Sequence, residues 1–352
     1  MSDRKIWIEL AVLAVSAASV VVMADILLHS IAPPRHLREV VDGVRDLRNE
    51  DASVLVLGSS HARTFYAVGQ ELSHRTGGRE FLVAVPIENG KLYSYDALLQ
   101  GWLLPIIDQR DASGASARTR LRRFLLLTEW WDSCTHGDEK AYWNLPARAW
   151  ELRDFLADVL RNGITGYNRN YLQNRFRTLF SESALVYDRT QRVLMPNMVR
   201  LLRGKPISLT YDEEQRRVAV WRRLVEDGAA CIGDPVQMAS LRRILALARA
   251  RNWDATVVLF PRKPATLTEK AKATTLSMFA EQVRAIAVPL GAAVVDLTYR
   301  SPLNDADFME DFDHVTPEGN RKFAAWALDH DLKFLLDSLP GAGRTASRHA
   351  GR

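Results

Sequence analysis

The stretch VLVLGSSHARTF, residues 54–65, is the key to the architecture. Its first four residues, Val54-Leu55-Val56-Leu57, run without a polar interruption, the pattern of a strand buried on both faces. Gly58-Ser59-Ser60 then turns the chain, and helical period begins at Arg63 and lasts to Thr76. Strand, turn and helix in that order open a βαβ unit. The serines have two readings at this point. Ser is a favoured N-cap, so Ser59 or Ser60 can simply satisfy the start of the helix. Alternatively one of them presents its Oγ above the C-terminal edge of a parallel sheet, where the reactive groups of α/β proteins collect. There the unpaired N–H groups of a helix start face a developing oxyanion.

Further along the chain, four more apolar runs of strand length occur at 81–85, 124–127, 256–260 and 293–296, separated by segments of helical period such as 95–107 and 267–288. This alternation predicts an α/β fold, a three-layer α/β/α sandwich on a five-stranded parallel sheet. With 352 residues, 47% of them apolar, the chain has ample material for such a core. The interval 128–255 is too long for one crossover helix and reads as several helices punctuated by Gly163, Gly166 and Gly204. It is expected to be a helical insertion, at about 133–253, within a domain of 53–340. Trp143, Trp150, Tyr167, Tyr171, Phe176, Tyr187, Tyr211 and Trp221 fall in it among many arginines. They suit either the lining of a polysaccharide groove or packing within helical pairs.

The two ends differ in kind from this body. Residues 6–31 are apolar apart from Glu9, Asp25, His29 and a few small polar residues, long enough to span a bilayer. An uncleaved membrane anchor over 1–35 is expected, with a cleaved signal peptide as the other possibility, since the uncharged centre at 10–24 is short. Residues 36–52 then read as a juxtamembrane amphipathic helix and linker, and 341–352 as a disordered tail. The excess of 47 basic over 42 acidic residues is spread through Arg pairs, a solvated surface rather than a nucleic-acid footprint. The two cysteines, Cys134 and Cys231, match no metal-finger spacing, and spacing alone leaves their pairing open.

The second stretch that carries chemistry is MEDFDHVTPEGNRKFAAW, residues 309–326. Thr316-Pro317-Glu318 is a strong helix start, which places His314 on the loop just before it. Asp311, three residues earlier, can reach one ring nitrogen and leave the other facing outward. That pairing fixes the tautomer of a base that takes a proton from a serine. Asp313 is expected to point away from the ring. His61 enters the first helical turn on a different face from Ser60, so His314 is the expected base. Asp296 reads as a structural carboxylate at the end of the fifth strand.

Together these stretches resemble the SGNH (GDSL-like) hydrolase superfamily, which carries a serine after the first strand and an Asp-x-x-His before the last helix. The resemblance implies Ser60 as nucleophile, His314 as general base and Asp311 as its orienting partner. It also implies an oxyanion donor after the second strand, where Gly90 matches best, with Asn89 and Ser59 beside the same pocket. The family's third block, Gly-x-Asn-Asp, is absent: Thr128-Glu129-Trp130-Trp131-Asp132 stands there instead. Loss of one oxyanion donor typically costs about 3 kcal/mol in the transition state.

Within that superfamily the chain is similar to the membrane-anchored proteins that work with membrane-bound O-acyltransferases on extracellular polymers. The implied activity is O-acylation, most simply O-acetylation, of a polysaccharide or other glycan through an acyl-serine. The implied setting is single-pass in the inner membrane with the catalytic domain in the periplasm. The same residues would also serve an esterase or deacetylase, or survive in an inactive polysaccharide-binding scaffold. No cofactor is implied. No metal is expected either, because only Asp311, Asp313 and His314 are grouped at ligand-like spacing.

Overall fold

The computed structural model describes residues 35–49, 52–88, 90–112, 121–134 and 211–337, with single positions at 12, 13, 16, 19, 20, 156 and 160. Five parallel strands form its sheet: β1 (Val54–Ser59), β2 (Leu82–Ile87), β3 (Arg123–Thr128), β4 (Asp254–Leu259) and β5 (Ala293–Asp296). Their spatial order is β2-β1-β3-β4-β5. The chain therefore winds one way from β1 to β2 and the other way from β3 onward, leaving a switch point between β1 and β3. A crevice at the carboxyl ends of the strands opens at such a point.

Period-two alternation divides each strand between two cores. Leu55, Leu57, Val83, Val85, Phe124, Leu126, Val257 and Leu259 face one layer of helices. Val54, Val56, Leu82, Ala84, Leu125, Leu127 and Val258 face the other. Because both faces are covered, both sets are apolar, and the runs read as continuous in sequence. The first layer holds α1 (Arg35–Asn49), α3 (Leu92–Leu98), α4 (Leu104–Ala112), α6 (Pro235–Ala250) and α7 (Ser277–Ala287); the second holds α2 (Thr64–Thr76) and α8 (Pro317–Asp329), which pack on each other.

The helix expected at 95–107 is instead two α-helical pieces, α3 and α4, joined by a π-helical turn at Leu99–Leu103. Pro105 explains the break, since it has no N–H to donate and its ring crowds the carbonyl four residues back, at Gly101. α1 turns Val40, Val44 and Leu47 onto the β2 side of the sheet. Its Glu39 binds Arg63 at 2.8 and 2.9 Å through Nε and at 2.7 Å through Nη2, tying this helix to the turn that follows β1.

The expected insertion lies mostly outside the described residues, but its last part is visible. α5 (Tyr211–Asp227) leans over the carboxyl ends of the strands through Trp221 and Leu224. α6, started by Asp234 with Pro235 at its first position, lies against α3 and α7 and so belongs to the sandwich layer itself. Arg243 on α6 reaches Asp96 on α3 at 2.6 Å. The apolar segment 6–31 and the tail 341–352 fall outside the described residues apart from the single positions named above. Among the described residues no helix is long and apolar enough to cross a membrane.

Cys134 and Cys231 are joined in a disulfide, with Cα atoms 5.0 Å apart and 97 positions between them in sequence. The bond pins the chain just after β3 to the segment that follows α5. Closing so long a loop restricts the unfolded chain, so replacing both cysteines by serine is expected to lower the unfolding free energy by about 2–5 kcal/mol. Denaturant titration of the oxidised protein and of the double variant measures this directly.

Candidate active site

The turn after β1 is a 3₁₀ segment, Ser60–Arg63, and the serine that caps it is Ser59, whose Oγ accepts a weak bond from the His61 N–H at 3.5 Å. Ser60 is thereby left free of the capping role. Gly58, just before, lies against β3 with no room for a side chain: a Cβ would sit 2.7 Å from the Leu127 carbonyl oxygen and 2.8 Å from its Cβ. This close approach brings the ends of β1 and β3 together at the switch point.

Ser60 Oγ lies 2.7 Å from His314 Nε2, across 254 positions of sequence. His314 Nδ1 lies 2.8 Å from Asp311 Oδ2, and the other oxygen, Oδ1, accepts the backbone N–H groups of Asp313 and His314, each at 3.0 Å. Burial disfavours the Asp311 carboxylate, but the His314 ring and these two N–H groups outweigh it and hold its pKa below the usual carboxylate value. Because Nδ1 donates to a carboxylate, Nε2 is the nitrogen that accepts the Ser60 proton. The helix start predicted at Thr316 is present, with its Oγ1 accepting the Gly319 N–H at 3.1 Å, and it anchors the loop from its far side.

The expected oxyanion side differs in detail. Gly90 does line the cleft, but its N–H donates to the Ile87 carbonyl at 2.9 Å and closes the turn after β2, so it is not a free donor in this arrangement. Glycine is needed there for space, since a Cβ would fall 2.4 Å from Cε1 of Tyr95. Asn89 lies outside the described residues. After β3, where the asparagine of the third block is missing, Asp132 Oδ2 accepts from Thr128 Oγ1 and the Glu129 N–H, both at 3.1 Å, which shapes the loop as a capping box. Burial first and the neighbouring Glu129 second push the Asp132 carboxyl above its usual range, and burial pulls the Lys91 ammonium below its own.

Behind the Ser60–His314–Asp311 line lies a second, buried set of charges that local sequence pattern does not bring together. His61 places Nδ1 2.8 Å from Ser59 Oγ and Nε2 3.1 Å from the Asp313 carbonyl oxygen, with the Asp313 carboxylate at 3.4 Å and Glu129 at 3.6 Å. Arg262, beyond the end of β4, binds the Glu129 carboxylate and also Asp313 Oδ1, the latter at 2.8 Å. Asp313 does point away from the His314 ring, but inward to this pair rather than to solvent. Register explains the meeting: Leu57 pairs with Leu126, and Thr128 with Leu259, so residues just past the three strands come level with one another. The sequence does carry a signal, an acid after β3 and a base after β4, but nothing local shows that they face each other.

His61, Glu129 and Asp313 offer ligand atoms within 4.8 Å of one another, as a metal site would. The Arg262 guanidinium already contacts both carboxylates, so the positive charge they face is supplied by the chain itself. Burial opposes a charge on His61, yet the Asp313 and Glu129 carboxylates overcome it and raise its pKa from 6.5 to about 9. A cation gained in this way stabilises the fold fully below pH 6.5, and that contribution disappears as pH rises through about 9. Lys91 titrates in the opposite sense, so the comparison that isolates His61 is with His61→Gln. Wild-type stability in denaturant is expected to fall relative to that variant between those two pH values.

Ser59, Ser60 and His61 form one wall of a cleft of about 220 Å³, with Trp130, Trp131 and Asp132 on the β3 side and Trp221 of α5 across it. Trp221 also lies over Arg262, its ring centre 5.3 Å from the guanidinium carbon. Of the aromatic residues that composition singles out in the insertion, Trp221 is thus at the site; Trp143, Trp150, Tyr167, Tyr171, Phe176 and Tyr187 lie outside the described residues. Asp296 binds Arg284 at 3.0 Å and caps the Thr298 N–H, the strand-end role expected of it. No protein-family model matches the chain, and no curated protein matches it at a significant level.

Proposed function

We propose that the protein is a serine-dependent acyltransferase of the SGNH (GDSL-like) type, carrying a short acyl group, most simply acetyl, to a hydroxyl of an extracytoplasmic glycan. The observation that carries this reading is the hydrogen-bonded line Ser60 Oγ–His314 Nε2 and His314 Nδ1–Asp311 at 2.7 and 2.8 Å. The strand order β2-β1-β3-β4-β5, flavodoxin-like in its winding, agrees with it. His314 takes the Ser60 proton as Oγ attacks the acyl carbonyl, and Asp311 stabilises the imidazolium that forms. When the donor's alcohol leaves with that proton, Ser60 holds the acyl group as an ester. An acceptor hydroxyl, deprotonated by His314, then attacks that ester and regenerates the serine. N–H groups at the start of the Ser60–Arg63 turn are the candidate oxyanion donors, in the absence of the third-block asparagine.

The cleft of about 220 Å³ favours a small acyl group, being below the roughly 300–1,000 Å³ of sites for drug-sized ligands. The disulfide favours an oxidising compartment, in keeping with a periplasmic domain behind an inner-membrane anchor; in this reading a membrane-bound O-acyltransferase is the donor-side partner. A second reading, ester hydrolysis by the same residues, differs only in whether water reaches the acyl-serine. The full-length protein in detergent, given an activated acetyl ester with and without an oligosaccharide, tests both. Acetylated sugar is the expected product; acetate alone, at a rate indifferent to the sugar, would establish the hydrolase, and neither product would leave a binding scaffold.

A further inference from the structure

We propose that His61 is a positioning residue for the base: bonded to Asp313 from inside the protein, it holds the 311–314 turn so that His314 faces Ser60. This rests on the reading of Ser60 and His314 as nucleophile and base. The turn has bonds of its own, the Asp313 and His314 N–H groups to Asp311 Oδ1 and the Met309 N–H to the His314 carbonyl at 2.7 Å, but they leave a strained residue at its centre. Phe312, at its centre, has φ of 65°, a left-handed conformation that a bulky side chain adopts only when its surroundings impose it, at a cost of about 1–3 kcal/mol.

The surroundings that impose it come from three directions. Phe312 is buried, with Lys263 Nζ 3.9 Å from its ring centre. Arg262 grips the Asp313 carboxylate at 2.8 Å from the end of β4. His61 meets the Asp313 carbonyl at 3.1 Å from the end of β1, and its ring lies nearly parallel to that of His314, 5.4 Å away and tilted by 17°. Of these, only His61 belongs to the turn that carries the nucleophile. It is next to Ser60 in the chain and is itself held by Ser59 Oγ at 2.8 Å and packed on Phe260 at 4.6 Å. The distance between nucleophile and base is therefore closed by a short path of rigid contacts, Ser60 to His61 to Asp313 to His314. A base displaced by 1 Å can lose about 10²-fold in rate, so this path matters to the chemistry as much as to the fold.

Three variants of the full-length protein separate the contacts. In His61→Gln the terminal amide reaches as far as Nε2 and can still donate to Asp313; in His61→Asn it reaches only to Ser59; His61→Ala makes neither contact. Labelling of Ser60 by a fluorophosphonate is expected to slow about 10²-fold in the Asn and Ala variants and to be largely kept in Gln. Hydrogen exchange at amides 309–316 should speed up in Asn and Ala relative to Gln, and by more than exchange in β1, β3 and β4 does, since the loss of the His61 cation lowers global stability alike in all three. Equal labelling rates in all three variants, or a rate kept by Asn and lost by Gln, would overturn the proposal. If the wild-type protein is not labelled at all, the nucleophile reading fails. Exchange at 309–316 then decides the positioning role alone, faster exchange in Ala and Asn than in Gln supporting it and equal exchange in all three overturning it.

Discussion

Fluorophosphonate labelling of the protein is expected to vanish in Ser60→Ala and to slow by about 10⁴-fold in Asp311→Asn, with both variants folded. The first effect follows from removing the Oγ that the proposed mechanism uses as nucleophile. The second is larger than the exposure of Asp311 suggests, because its side chain is about half accessible and an exposed ion pair is normally worth little. Here the carboxylate does more than pair. Its Oδ2 sets the proton on His314 Nδ1 while its Oδ1 accepts two backbone N–H groups of the same turn. An asparagine that turns its NH₂ toward the ring reverses the tautomer and leaves Nε2 protonated, unable to accept from Ser60. One that turns its oxygen there instead presents NH₂ to two N–H donors. Rates of labelling by quenched-flow or gel densitometry, alongside thermal melts, check both expectations; wild-type labelling in Ser60→Ala would remove Ser60 from the mechanism.

Arg262→Met is expected to destabilise the protein by about 3–5 kcal/mol, the usual cost of removing one partner from a buried charge cluster. The side chain of Arg262 is 3% exposed and that of Glu129 6%, so solvent cannot replace the lost guanidinium. Without it, Glu129 and Asp313 face each other with only His61 between them. Two consequences distinguish this from simple loss of packing. Adding Glu129→Gln should recover part of the stability, since it leaves one carboxylate, Asp313, facing the one remaining cation, His61, with a coupling of roughly 0.5–3 kcal/mol. The single variant should also gain stability relative to wild type as pH falls. In the wild type, burial works against the Asp313 charge, but His61 and Arg262 hold its pKa far below the ordinary carboxylate range. With the guanidinium gone, protonation of the carboxylates relieves repulsion at milder acidity. Equilibrium denaturation of the single and double variants across pH provides the test.

Much of this site is legible in the chain itself. Ser60 after a buried strand, His314 before a capped helix and Asp311 three residues earlier follow from local rules of turn, cap and spacing, and the three side chains do meet. The oxyanion side is less legible. Gly90 has the expected place, but whether its N–H is free depends on the Ile87 carbonyl, which a residue pattern does not show. His61 and Asp313 look incidental because each sits next to a residue with a clearer role, and both point away from it.

Residue order alone is enough for the alternation of buried strands and helices and for the kinds of residue placed after each strand. Hydrophobic period and turn chemistry are properties of a few neighbouring residues, so they can be recognised without knowledge of the whole. Which serine caps and which meets His314, how Cys134 and Cys231 pair, and the joining of His61, Glu129, Arg262 and Asp313 are settled by three-dimensional packing and by nothing local. The contacts in that cluster span 133 positions between Glu129 and Arg262 and 252 between His61 and Asp313. They exist because strand order and register bring the ends of β1, β3 and β4 level beneath one loop.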